Sequence, residues 1–404
     1  MTARWFNNPE ADDAQTKDKN ADGYHWPEYL LNVDDLVRVS AEIDGCLKAL
    51  VALDWPDMYD PSTKKDQYPN YNSELLDLAR AGMRLKEVLL TGNREDDRSG
   101  RVARAFADWF AENVSPSKPG DWRIEVLYLD YPTSDPRTVP WGLIFEADPE
   151  KPLKKLDPTD PVEFGGFWGQ RFGLSARGPA ERIDRIKQKR DKALRMLVVF
   201  EQPDGGQGKL EQSALASARP SEAELDIATA EQHIAEDPNS YSDLVYEAVE
   251  QTERDTYLYM SLRSDVRPNT RNAISVPDIK ELRGNEKKDV LMLVVLDGDA
   301  VIRGDRGLGW LENLMWLGEN GLIATEVDVH NKQLRFLGWR VLTHILGSRK
   351  PILEAVREFR EQVWPLGLIF GIYCNPIHVY VDPPPKTLIN SISAFLKERR
   401  NAQT

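Results

Sequence analysis

The chain has 404 residues, 41% apolar and 29% charged, with 11 tryptophans, so it can fill two or three domains or one double-sized unit around an ample core. Its net charge of −14 argues against nucleic acid or an anionic membrane as a bulk partner, and two cysteines, Cys46 and Cys374, cannot make a disulfide framework. No leader pattern and no apolar run of about 18 residues is present, which sets the expectation of a cytoplasmic protein.

Residues 1–25 are polar and acid-rich and read as a mobile tail. From Tyr29 to Leu53, apolar residues from Leu30 through Ile43 to Val51 follow helical spacing. Trp55 to Tyr71 is a loop rich in Pro, Tyr and Asp. Ser73 is a suitable N-cap for a second helix, Glu74 to Leu90, closed by Thr91-Gly92, and a third helix spans Gly100 to Val114. The texture then changes. Trp122 to Leu129 (WRIEVLYL) reads as a strand, VPWGLIFE (Val139 to Glu146) opens the next element, and FGGFWGQRF (Phe164 to Phe172) is aromatic and glycine-rich. Arg182 to Lys192 reads as a basic helix whose charged face is solvated, followed by a buried strand at Leu194 to Phe200. Gln202 to Gly208 is a loop, Ser221 caps a helix carrying Ala223, Leu225, Ala228 and Ile234, and Leu244 to Val249 is a further amphipathic piece. A third strand is Asp255 to Leu262 (DTYLYMSL).

Lys287 to Asp299 (KKDVLMLVVLDGD) gives the clearest strand. The apolar run Val290 to Leu296 stops at Asp297-Gly298-Asp299, the pattern of a strand buried on both faces in a mainly parallel sheet. Ligands in such sheets sit at the carboxyl ends of strands, which directs attention to those two carboxylates. A helix at Trp310 to Glu319, a strand at Gly321 to Val327, and helices at Lys332 to Leu346 and Pro351 to Gln362 follow. After the turn Trp364 to Leu368, a last strand lies around His378 to Val381, and a basic helix ends the chain. The alternation of strands and helices is that of an α/β sandwich.

Four phrases, in this order, resemble the CHAT family of caspase-like peptidases, relatives of separase. VPWGLIFE resembles that family's Leu-Pro-Trp-Glu-Leu-Leu element and GFWGQRF (Gly166 to Phe172) the aromatic segment after it. GLIATEVDV (Gly321 to Val329) is similar to its Gly-Val-Ile-Gly-Thr strand, and PLGLIFGIYCNPIHVYV (Pro365 to Val381) to its closing segment. The resemblance covers roughly Ile124 to Val381. It implies a caspase-like three-layer α/β/α sandwich with a mainly parallel sheet. A degenerate N-terminal half within 26–180, under a helical layer, would pack on a better-preserved half, 190–382, with a C-terminal helix at 386–404.

The resemblance also implies a catalytic His at the end of one strand and a Cys at the end of the next, the Cys attacking as thiolate. Here Ser261 or Leu262 stands at the His position and Asp299 at the Cys position. A carboxylate is a feeble nucleophile toward an amide, and no neighbouring base would activate the serine. The expected consequence is a peptidase fold without the activity. It would regulate, inhibit or scaffold a partner protease or that protease's substrate, and the family's setting suggests bacterial antiphage defence. Arg263, Asp297 and Asp299 would line the former cleft, where the carboxylates suit a basic side chain. Alternatives are an active peptidase with another nucleophile, or a small-molecule sensor that uses the cleft.

No cofactor or metal is expected. Cys374 and His378 lie four residues apart, about 13 Å along a strand, beyond hydrogen-bond reach. Cys46 falls in the apolar rhythm of the first helix. His25, His233, His330 and His344 make no zinc-like spacing, and Asp297, Asp299 and Asp305 lack calcium-loop spacing, with Arg303 and Arg306 flanking the third. Gly205-Gly206-x-Gly208 is a flexible loop rather than a phosphate cradle.

Overall fold

The computed structural model describes residues 2–7, 24–25, 31–55, 68–92, 96–114, 122–127, 139–148, 150–177, 187–188, 195–200, 224–229, 256–262, 290–296, 321–327, 337–338, 340–341, 344, 352–374 and 379–380, in most strands as backbone. The chain divides into two compact units. One comprises Met1–Pro56, Asp60–Ile183 and Val356–Ile372, and the other Asp57–Tyr59, Asp184–Ala355 and Tyr373–Thr404.

In the first unit, β1 (Thr2–Asn7) and β2 (Tyr24–His25) come from the stretch expected as a mobile tail. The strand has a reason: Thr2–Asn7 pairs antiparallel along its whole length with Trp122–Leu127, which satisfies backbone groups that a tail would leave to water. Three helices follow. α1 (Val33–Val51) starts at Asn32, whose side chain accepts from the Asp35 amide at 3.3 Å, and Asp34 and Asp35 favour the positive end of the helix dipole. Val39, Ile43, Leu47 and Leu50 form its buried stripe. α2 (Asn72–Thr91) packs against α1 and α3, and Leu75, Leu78, Ala79, Leu85 and Leu89 are its buried apolar residues. Its N-cap is Tyr71 and not the expected Ser73, whose hydroxyl instead meets Glu74 inside the first turn at 2.8 Å. Gly92 closes α2 with φ 64°, a conformation that favours glycine. α3 (Asp97–Asn113) begins three residues before the expected Gly100, because the Asp96 carboxylate caps it by accepting from the Ser99 amide at 3.0 Å.

β3 (Trp122–Leu127) lies between β1 and β4 (Gly173–Arg177) in a four-stranded sheet of order β2-β1-β3-β4, with β3 and β4 parallel. Immediately before β4, the single turn α4 (Trp168–Arg171) sits on α3 through stacked rings of Phe110 and Trp168, 4.8 Å apart.

The second unit contains β5 (Lys187–Gln188), β6 (Arg195–Phe200), β7 (Glu224–Thr229), β8 (Thr256–Leu262), β9 (Val290–Leu296) and β10 (Gly321–Thr325). β5 falls inside the segment expected as a basic helix. The strands β7-β6-β8-β9-β10 are all parallel, in that order. α5 (Ile352–Gln362), most of it in the first unit, leads to β11 (Phe370–Cys374), and in the second unit β12 (Val379–Tyr380) pairs with β5 in parallel. β7 corrects the helix expected after Ser221. Leu225 and Ala228 are three apart and suit a helix, but Leu225, Ile227 and Thr229 also alternate, and pairing with β6 selects the period of two. The loop at 202–208, the amphipathic piece at 244–249, the helix at 310–319 and the C-terminal helix lie outside the described residues. No described helix is long and apolar enough to cross a membrane.

Candidate functional site

Counted from β6, the strand order of the second unit is 2-1-3-4-5, which makes the gap between β6 and β8 a topological switch point. In a parallel sheet the carboxyl ends gather on one edge. β8 and β9 are neighbours there and end in register, Ser261 opposite Val295 and Leu262 opposite Leu296. Ser261 is also opposite Phe200, the last residue of β6. The sheet thus brings the Ser261–Leu262 position beside the end of the strand that leads into Asp297 and Asp299. Arg263, Asp297 and Asp299 lie outside the described residues, as do His233, His330, His378, Arg303, Asp305 and Arg306.

Cys46 is placed on α1, half-buried. Burial pushes its thiol up, the carboxylates of Glu42 and Asp77 push it further, and Arg84 pulls it partly back. A nucleophilic cysteine needs the opposite environment, one that favours the thiolate. His344 is half-buried in a helical segment. Among the described residues no group of three His, Cys, Asp or Glu side chains is placed to hold a metal ion.

The first unit also holds a charged cluster that no motif in the sequence marks. After Pro140 the chain makes a 3-10 turn, Trp141–Leu143, and then pairs with Gly166–Trp168. The Glu146 amide donates to the Gly166 carbonyl at 2.9 Å and the Trp168 amide to the Ile144 carbonyl at 2.8 Å, flanking the bridge between Phe145 and Phe167. This fixes Glu146 beside α4. Its side chain is 5% exposed, and Arg171 donates to its Oε2 at 2.5 Å while Lys86, from α2, holds its Oε1. A buried carboxylate needs such partners, since desolvating an unpaired charge costs several kcal/mol. With both oxygens engaged by cations, Glu146 ties α2 to α4.

Glu146 and Arg171 line a pocket of about 380 Å³ together with Asp148, Leu156, Val162 and Glu163. The loop at 157–163 is fixed by its own carboxylates. Asp157 accepts from the Thr159 amide at 2.8 Å, and Asp160 from the Val162 amide at 2.9 Å. Val162 is held 85% exposed at the rim. The signal for this cluster was present as a single acid closing VPWGLIFE and a single base near the end of GFWGQRF. Nothing in one sequence says that two such phrases meet.

A third phrase meets them. Arg360 of α5 is 2% exposed and donates to the Gly169 carbonyl at 2.7 Å and to the Phe370 carbonyl. The glycines of the three phrases make room for it. A Cβ on Gly169 would stand 2.7 Å from the Arg360 Nη1, and one on Gly367 would stand 2.8 Å from the Arg360 carbonyl oxygen. Trp364 adds a hydrogen bond from its indole to the Pro158 carbonyl at 2.9 Å, and its ring lies 6.0 Å from that of Phe164. The phrases around 139–146, 166–172 and 365–370 are therefore packing residues of one unit, joined at Arg360.

The chain matches no protein-family model and no curated protein.

Proposed function

We propose that the protein is a non-catalytic, CHAT-like pseudo-caspase that works by binding: it regulates, inhibits or scaffolds a partner protease or that protease's substrate, in a setting such as bacterial antiphage defence. The observation that carries this reading is the register of β8 and β9. Leu262 and Leu296 end neighbouring parallel strands opposite one another, the arrangement in which a caspase-like dyad would face across the sheet edge. The sequence at those ends supplies Ser261 and Leu262 on one strand and Asp299 just beyond the other, with no His or Cys at either. The 2-1-3-4-5 order of parallel strands supports the caspase-like sandwich, and the thiol of Cys46, pushed up by burial, speaks against Cys46 as a displaced nucleophile. The cleft then holds a peptide without cutting it, Asp297 and Asp299 favouring a basic residue. It uses no cofactor or metal.

The test is capture of partners from native-host lysate by the protein and by its Cys46→Ala, Cys374→Ala double variant. A defined protease or protease substrate held intact and equally by both forms supports the reading. A partner cut only by the unsubstituted protein makes it a peptidase.

A further inference from the structure

We draw no further inference here: the strongest candidate, the pocket of about 380 Å³ beside Glu146 in the first unit, adds to a carboxylate already held by Lys86 and Arg171 only the acidic rim of Asp148 and Glu163, a cluster with no second observation that points to a ligand.

Discussion

Arg360 donates a hydrogen bond to the carbonyl of Gly169, 2.7 Å away and 191 positions earlier in the chain. The contact is buried and leaves no room for a side chain at residue 169.

Gly169→Ala should therefore destabilise the protein. The new Cβ would stand 2.7 Å from the Arg360 guanidinium and 3.0 Å from the Gly142 carbonyl oxygen. Overpacking of this kind costs roughly 1–3 kcal/mol. Gly45→Ala is the control in the other direction. It lies on the exposed side of α1 with nothing within 4 Å of an added Cβ. Alanine should stabilise there by about 0.5–1 kcal/mol, the usual penalty of glycine in a helix interior. Urea denaturation of the two variants should shift in opposite directions.

Glu146→Ala removes the shared partner of Lys86 and Arg171. Arg171 is 13% exposed and Lys86 29%, so the cost falls mainly on Arg171. Breaking a buried pair from one side costs roughly 3–5 kcal/mol. Arg171→Met in the same chain should recover part of that loss, because the buried guanidinium deprived of its carboxylate is then gone. A double-mutant cycle read by denaturant unfolding checks this, and strictly additive losses would show that the two residues do not act as a pair.

Tyr71 gives a prediction in alkali. Its ring stacks on Trp55 at 5.6 Å, and burial first, with the Asp157 carboxylate second, pushes its phenol from 10.0 up to about 12. A raised folded-state value means that the unfolded chain loses its proton first. The contribution to stability is thus complete below pH 10.0 and is lost as pH rises toward about 12. Tyr71→Phe should lower stability little at neutral pH and remove part of the alkaline loss. Stability measured against pH for both proteins, with the difference in tyrosinate absorbance, tests it.

Much of the local structure was legible, and the reasons are local. Val290 to Leu296 is an uninterrupted apolar run ended by Asp-Gly-Asp, and β9 has those bounds. α1 and α2 carry apolar residues at helical spacing, and Gly92 ends α2 where a positive φ is needed. Misreadings came where two periods coexist, as at Leu225, Ile227 and Ala228 in β7, or where a partner strand far along the chain decides, as for Thr2–Asn7. At the candidate cleft, the chain indicated that one strand ends in Ser261-Leu262 and that another ends just before Asp297, while their pairing in register belongs to the sheet. The Glu146–Arg171 tie was not legible, because an acid and a base 25 residues apart are related only once Phe145 pairs with Phe167.

The central claim, binding without cleavage, is tested most directly by incubating the purified full-length protein with a mixed peptide library. Mass spectrometry then identifies which peptides are retained and whether any is cut. Retained peptides should be enriched in Lys or Arg and all intact, with retention at least several-fold weaker in an Asp297→Asn, Asp299→Asn variant. Cleavage at a defined residue, abolished by Cys46→Ala or Cys374→Ala, would contradict it.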